Sequence, residues 1–252
     1  MRNSILAILI GLAMAASPGL AHAQSGGGVD EDFVLGSEAF LAAHPDLKNR
    51  TRGMEAYEAG EFEDALRWFR LAARYADKPS QAMVGEMLWK GEGGGRDPAL
   101  AYAWMDLAAE RGYPGFTAVR EHYWEQLDEA QRGQALARGQ EVYAEYGDAV
   151  AQPRIAAVLR RARGRTTGSR TGFVGALRVI VPGPGGTTRE IDGSQFYDRK
   201  FWDPARYQAW HDSTWARPRI GRVTVGELEH ADGSRIQPRQ EPEVEPRDDG
   251  GP

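Results

Sequence analysis

Residues 80–112 read SQAMVGEMLWKGEGGGRDPALAYAWMDLAAERG, and this stretch decides the fold. Apolar side chains at residues 84–88 have helical spacing and predict a first helix. A glycine-rich segment breaks that helix, after which Asp97 and Pro98 predict the N-cap and first turn of a second one. Gly112 predicts its end, in the C-cap role. The stretch therefore encodes two helices joined by a turn.

Part of this stretch repeats an earlier one, 36 residues before it. The matched residues are Ala65, Trp68, Leu71, Ala72 and Ala73 in the first copy and Ala101, Trp104, Leu107, Ala108 and Ala109 in the second. Alanines let two helix backbones approach closely, and a Trp at one fixed position fills the space between neighbouring pairs. A fixed period of this size predicts a mainly α protein, a short α-solenoid of helix pairs. Such arrays usually offer a curved surface to another macromolecule, which favours a binding protein over an enzyme.

The chain here resembles the Sel-one-like repeat (SLR) family, a relative of the tetratricopeptide repeat. The residues that match the family pattern are Val84, Gly85, Met87, Leu88, Gly91, Gly93, Asp97, Ala101, Trp104, Ala108, Ala109 and Gly112. Leu88 replaces the usual Tyr, and Gly94 replaces the usual Val. The resemblance covers about residues 46–148. It implies adaptor proteins in which the first helix of each pair lines the concave face.

We expect about two and a half repeats over residues 46–148. The first copy has a short turn before Ala65, of the tetratricopeptide-like kind, and the third is degenerate, with Gln140 where the Trp is expected. A more polar last repeat suits a capping unit. The predicted repeat core consists of Ala65, Trp68, Ala72, Gly85, Gly91, Asp97, Ala101, Trp104, Ala108, Ala109 and Gly112.

The N-terminus predicts export. A basic start, an apolar run at residues 5–16 and a small-residue site at 21–23 form the pattern of a signal peptide over residues 1–23. No apolar run is long enough to predict a transmembrane segment in the mature protein. The chain has no Cys, which excludes a lipoprotein signal and disulfides. We expect a periplasmic protein, with secretion as the alternative.

Composition divides the mature chain into four segments. They are a Gly-rich flexible linker at 24–36, a helical repeat domain with an Arg-rich C-terminal helix at 37–165, a small β or irregular subdomain at 166–237, and a disordered acidic Pro-rich tail at 238–252. Within the third segment, β-forming residues predict strands at 173–181 and 221–228. Asp203 predicts the N-cap of a short helix at 204–210.

Charge is distributed in blocks along the chain. Residues 30–148 carry a net charge of −10, whereas residues 149–189 contain eight arginines and no acid. A helix predicted at 153–163 ends in Arg160, Arg161, Arg163 and Arg165. We expect these arginines to complement the helix dipole and to pair with the acidic repeats. The alternative is an anionic ligand, such as a phosphorylated lipid headgroup or a surface polysaccharide of the cell envelope, or an acidic partner.

Aromatic residues are dense between residues 196 and 215. They are Phe196, Tyr197, Phe201, Trp202, Tyr207, Trp210 and Trp215. As structure, seven large rings supply the core that a short glycine-rich segment lacks. As function, ring faces beside charged residues would stack on sugars or clamp a peptide. The structural interpretation is favoured, because the segment would hardly fold without these rings.

The predicted binding surface lies on the first helices of the pairs. Apolar residues of the helix at 84–88 point inward, which leaves three neighbours nearer solvent. The predicted partner-binding residues are Glu86, Trp89 and Lys90, joined by Arg120 and Tyr123 of the next pair. Trp89 is predicted to anchor a partner peptide, as exposed aromatic residues often do. The alternative is that Trp89 folds back over the glycine turn as local core.

Motifs for chemistry are absent from the sequence. The five His have no metal-ligating spacing, and no cofactor-binding motif is found. His211 and Asp212, near Asp203, would make an acid–base site only if they faced each other, and a polar rim is the simpler interpretation. Export and a negative net charge exclude a nucleic-acid partner. The sequence predicts a non-catalytic exported adaptor that binds an envelope protein or peptide without a cofactor; the alternative is a module that binds a cell-envelope glycan or peptidoglycan fragment through the aromatic region.

Overall fold

The computed structural model of the protein describes residues 31–164, 177–182 and 187–217. The predicted signal peptide, Arg165, the predicted strand at 221–228 and the acidic tail lie outside the described residues. So do residues 24–30 of the predicted linker.

Helices dominate the described part of the chain. They are α1 (Glu31–Gly36), α2 (Glu38–Leu41), α3 (Pro45–Glu58), α4 (Phe62–Ala73), α5 (Lys78–Lys90), α6 (Pro98–Ala108), α7 (Pro114–Gln126), α8 (Glu129–Tyr146), α9 (Asp148–Gly164), α10 (Gly193–Phe196), α11 (Arg199–Trp202) and α12 (Pro204–Trp215). Two antiparallel strands, β1 (Arg178–Pro182) and β2 (Thr188–Asp192), form a small sheet with Val179 opposite Ile191. The predicted fold class, mainly α helix pairs with a small β element, is confirmed.

The turn signals of the quoted stretch act as predicted. Gly91 ends α5 in the left-handed conformation with φ 82°, which a glycine adopts without steric cost. The side chain of Asp97 accepts a hydrogen bond of 3.0 Å from the Leu100 amide, and Pro98 is the first residue of α6. A 3₁₀ turn then extends α6 to Gly112, which is also left-handed. Local capping interactions thus mark the end of α5 and both ends of α6.

Small residues bring α5 and α6 together. A Cβ placed on Gly85 would lie 3.0 Å from the carbonyl oxygen of Ala101, so the two backbones are in close contact at this point. Ala101 and Ala108 are fully buried in the same core. α8 packs along α6, where the rings of Trp104 and Tyr146 lie 4.6 Å apart. The central core therefore lies between α5, α6 and α8.

The N-terminal segment differs from the prediction. Residues 31–36, expected in a flexible linker, form helix α1, and Val34 is only 2% exposed. Val34 packs in one cluster with Phe40, Phe201 and Trp202, so the two ends of the described chain share a hydrophobic core. The linker prediction was wrong here, because the surface that buries this short apolar run comes from residues far away in sequence.

The C-terminal segment is more helical than predicted. β1 overlaps the strand predicted at 173–181, but its partner is β2, which was not predicted. α12 begins as predicted, with Asp203 accepting from the Arg206 amide at 3.1 Å, and continues to Trp215. Three helices thus follow β2 in a segment expected to be β or irregular. The tertiary core that orders them is formed with α1, α2, α3 and α9.

Helix α9 begins five residues before the predicted start at Pro153, which lies inside it. Its first residue, Asp148, is held by Arg111 at 2.6 Å and by Lys78 at 3.1 Å. These cations stabilise a helix start at Asp148, which the position of Pro153 in the sequence does not predict. Within the described part of the chain, no helix combines the length and the apolar character that crossing a membrane requires.

Candidate functional site

The predicted partner-binding residues form an internal network. Glu86, expected nearer solvent, is only 5% exposed, and Tyr123 is 1% exposed. The Tyr123 hydroxyl donates to the Glu86 carboxylate, which also lies 3.1 Å from the Lys90 ammonium. Burial, with the nearby carboxylate, raises the pKa of Tyr123 far above its ordinary value. The exposure predicted for Glu86 was wrong, because α7 covers the polar side of α5 and supplies a hydrogen-bonding partner.

Trp89 packs locally, as in the alternative interpretation. Its half-buried ring stacks on Tyr123, with the centroids 4.0 Å apart and the planes 5° from parallel. The guanidinium of Arg96, from the glycine turn, lies 5.3 Å from the Trp89 ring, and its Nε donates to the Trp89 carbonyl oxygen at 3.0 Å. The indole is therefore in contact with two side chains of its own chain.

Arg120 is engaged in different contacts. It lies 3.4 Å from Asp106 on α6 and pairs with its neighbour Glu121. Lys90 bridges Glu86 and the Tyr57 hydroxyl, the latter at 3.4 Å. The structure thus brings Glu86, Trp89, Lys90 and Tyr123 together, but as a satisfied polar and aromatic cluster.

An open surface lies elsewhere, over α4 and α9. A cavity of about 310 Å³ is lined by Glu63, Leu66, Arg67, Arg70, Leu71, Arg74, Gly93 and Tyr146. A second cavity, of about 400 Å³, is lined by Arg74, Tyr75, Pro153, Arg154, Ala157, Val158 and Arg161. Because Arg74 lines both cavities, we treat them as one surface and call it the arginine groove.

The arginines of the groove are unevenly paired. Arg67 pairs with Asp64 at 2.8 Å and Arg74 with Glu145 at 2.7 Å, both on the surface, where ion pairs contribute little to stability. Arg70 has no ion pair with any described residue, and the Arg161 Nε contacts only the carbonyl of its own helix, 3.3 Å away. The groove therefore holds positive charge that the described residues do not neutralise.

The arginine run at the end of α9 does not meet the acidic repeats. Arg160, Arg161 and Arg163 are exposed, and none forms an ion pair with a described residue. Among the arginines of α9, Arg154 does reach the repeats, where it donates to the carbonyl oxygen of Glu145 at 2.5 Å. The predicted pairing was wrong for these three, because no described acid lies within ion-pair distance of them; Arg161 lines the arginine groove instead. Their place in the last turn still complements the helix dipole.

Sequence reasoning missed the arginines of α4, although a signal was present. Arg67, Arg70 and Arg74 follow the i, i+3, i+7 spacing that places side chains on one helix face. They fall inside the acidic block, so counting charge by segment concealed them.

A buried polar cluster joins α3 to α12. The Tyr207 hydroxyl donates to Asp46 Oδ2 at 2.6 Å, and His211 Nε2 lies 3.6 Å from the same oxygen. Burial alone would raise the pKa of Asp46, but the His211 and His44 imidazoles and the Tyr207 hydroxyl outweigh it and lower that pKa. Burial lowers the pKa of His44. All four side chains are buried, so the cluster connects helices and offers no open site.

The residues considered for acid–base chemistry, Asp203, His211 and Asp212, make separate structural contacts. Asp203 caps α12, while Asp212 pairs with Arg111 at 3.3 Å and accepts a hydrogen bond from Tyr113. His211 instead faces Asp46. Among the residues that the structure describes, no group of three His, Asp or Glu side chains is arranged to hold a metal ion.

The aromatic stretch forms core, as the structural interpretation predicted. Phe201 and Trp202 are buried, and their rings contact Phe40 edge-on with centroids 5.3 and 6.0 Å away. Phe196 and Tyr207 are buried as well, whereas Tyr197, Trp210 and Trp215 are half-buried. The rings pack mainly on one another and on the N-terminal helices.

Comparison with known proteins adds little to this description. No family model matches the chain, and no curated protein matches it. A solved structure that does match is that of a protective antigen of uropathogenic Escherichia coli strains that displays an SLR fold. Identity is 23% and the TM-score 0.40, over 57% of this chain and 31% of that one, so this chain spans about a third of the antigen's length. This similarity is too weak to support a conclusion about the protein, so the helix-pair fold is assigned from the described helices.

Proposed function

We propose that the chain is an exported, non-catalytic repeat protein that acts as a protein–protein interaction adaptor. The observation that carries this proposal is the arginine groove, an open and partly apolar surface built where α4, α8 and α9 meet. Stacked helix pairs create such surfaces without a dedicated binding loop. The clustered titratable residues Asp46 and His211 are buried, which favours binding over catalysis.

The groove is a better binding surface than the first-helix face. On that face, the Tyr123 hydroxyl bonds Glu86, and the Trp89 ring contacts both Tyr123 and Arg96, so a partner would have to displace internal contacts. In the groove, Leu71 is 37% exposed and Arg70 is unpaired within the described chain. A partner gains contacts there without breaking the core.

The glycan-binding alternative is less well supported. Sugar recognition by aromatic residues needs an exposed ring face. Phe196, Phe201, Trp202 and Tyr207 are buried in the fold, which leaves three half-buried rings.

Export is supported by the signal-peptide pattern of residues 1–23. Mass spectrometry of the protein recovered from its host tests it. We expect a mature chain that begins at Gln24; recovery of the uncleaved chain in the cytoplasm would contradict export.

Capture from envelope extract tests the adaptor function. The immobilised mature chain should retain a defined protein, identified by mass spectrometry and recovered again when that protein is used as bait. Purified peptidoglycan fragments serve as the second ligand. Binding to these fragments without any protein partner would favour the glycan module and refute the adaptor.

A further inference from the structure

We infer that the arginine groove binds an acidic peptide segment that also carries an apolar side chain. This inference rests on the proposed function, since it names the class of partner that such an adaptor would take. Charge, apolar lining and shape support it separately.

Charge gives the first argument. Five arginines line the groove, and the acidic residue among its lining residues is Glu63. At a helical rise of about 1.5 Å per residue, Arg67, Arg70 and Arg74 extend over roughly 10 Å of α4. Arg154 and Arg161 lie seven residues apart on α9 and extend the array over a similar length. The whole chain carries a net charge of −5, so this positive surface is a local feature.

Acids near the groove do not cancel this array. Asp64 and Glu145 pair with Arg67 and Arg74 respectively, and all four side chains are about half exposed. Such pairs are readily exchanged for others, because water and salt screen them. The guanidinium is planar and can bind a carboxylate through two parallel hydrogen bonds, so arginine suits Asp and Glu side chains.

The apolar lining gives the second argument. Leu66, Leu71 and Tyr146 line the first cavity, and Tyr75 and Val158 line the second. A ligand that is only an anion gains nothing from these side chains. A peptide with a Leu or Phe next to its acids buries apolar surface there, and this burial strengthens binding.

The shape of the groove favours a peptide over a membrane. Both cavities are open recesses, of about 310 and 400 Å³, lined by residues of more than one helix, whereas a bilayer surface meets a flat or convex face. The apolar residues of α4 and α9 mostly pack inward, with Leu66, Phe69 and Ile155 buried, so few are available to insert into lipid as those of an interfacial helix do. We therefore take the anionic membrane as the outcome that would refute the inference.

Fluorescence anisotropy with labelled peptides tests this inference. Three synthetic probes of equal length are titrated with the mature full chain. The first alternates Glu and Asp with Leu and Phe, the second replaces the acids by Gln and Asn, and the third replaces Leu and Phe by Ser. We expect the first probe to bind, and each of the others to bind about tenfold more weakly, because each lacks one of the two kinds of contact.

A matched pair of double variants locates the binding. Arg70→Gln with Arg161→Gln should weaken the first probe about tenfold, since each removes a charged hydrogen-bond donor from the groove. Arg163→Gln with Arg206→Gln makes the same change in net charge at exposed positions outside the groove and should leave affinity unchanged. Circular dichroism confirms that both variants are folded.

Three results would overturn the inference. The first is an equal loss of affinity for the first probe in both double variants. The second is equal affinity of the wild type for the acidic and neutral probes. The third is salt-sensitive binding to vesicles of phosphatidylcholine and phosphatidylglycerol when no probe binds. Failure here is distinct from failure of the adaptor function. If envelope extract still yields a partner and the Arg70→Gln, Arg161→Gln chain captures it equally well, the adaptor stands and the acidic class is wrong.

Discussion

At the scale of single residues, the two equivalent tryptophans of the repeat have different environments. Trp104 is 4% exposed and packs against Tyr146 of α8. Trp68 is half-buried, and the guanidinium groups of Arg52 and Arg67 lie over its ring at 4.8 and 4.6 Å. The same sequence position therefore contributes to stability to different extents in the two copies.

Alanine substitution of both tryptophans tests this difference. Trp104→Ala should lower the free energy of unfolding by about 3–5 kcal/mol, through lost burial and a cavity. Trp68→Ala should cost about 1 kcal/mol, because its site is open to water. Urea denaturation followed by circular dichroism measures both. Equal losses would show that the repeat register, and not the local environment, determines stability.

His44 is the residue from which a pH dependence follows. Its pKa is lowered from the ordinary value of 6.5, mainly by burial, so the unfolded chain takes up a proton that the folded chain resists. Stability should therefore be greatest above pH 6.5 and fall as the pH drops below it, because the unfolded chain is then protonated at His44 more fully than the folded chain. The lowered pKa of Asp46 adds a further loss below its ordinary value of 3.8.

Denaturation at several pH values compares the wild type with His44→Phe, which keeps an aromatic ring next to Phe40. The variant should be less stable at neutral pH but lose the slope between pH 6.5 and 5.5. A slope that persists unchanged in the variant would assign the pH dependence to other groups.

At the scale of elements, glycines in helices distinguish close packing from open surface. Gly85 on α5 faces the α6 backbone, whereas Gly133 on α8 is exposed and has no atom within 4 Å of a built Cβ. Gly85→Val should destabilise the protein by about 1–3 kcal/mol through overpacking. Gly133→Ala should stabilise it by about 0.5–1 kcal/mol, because Ala is the better helix former. Thermal denaturation of both variants provides the measurement, and a neutral Gly85→Val would mean that α5 and α6 are not tightly packed.

Sequence patterns predicted those elements whose ends are fixed locally. The pair α5 and α6 was predicted with its caps, because Asp97 and Gly91 act within a few residues of themselves. The start of α9 was missed, because ion pairs of Asp148 with residues more than thirty positions earlier determine it. β2 was missed for a different reason. Four of its five residues are exposed and only Ile191 is buried, so the strand has little apolar pattern to recognise.

At the scale of the whole molecule, the two ends of the described chain complete each other. Phe40 and His44 pack against Trp202 and Tyr207, and the Tyr207 hydroxyl bonds Asp46. Contacts between residues so far apart leave no periodic signal in the sequence. The candidate site escaped prediction in part for the same reason: the spacing of the α4 arginines is visible in the sequence, but their proximity to the arginines of α9 is not.

Truncation tests the structural role of the C-terminal segment. A chain of residues 24–164 loses the residues that cover Phe40, so it should melt at a lower temperature than residues 24–217 and bind a hydrophobic dye. Differential scanning fluorimetry at equal concentration compares the two. Equal melting temperatures would mean that residues 177–217 form an independent unit.

Site-specific photocrosslinking in the living host tests the central claim, that the partner binds in the arginine groove. A photoreactive residue is placed at Leu71 or Val158 in the groove and, in parallel, at Trp89 on the first-helix face. We predict one shared protein adduct from the two groove positions, which Arg70→Gln with Arg161→Gln removes, and none from Trp89. A partner crosslinked through Trp89 and absent from both groove positions would contradict this account.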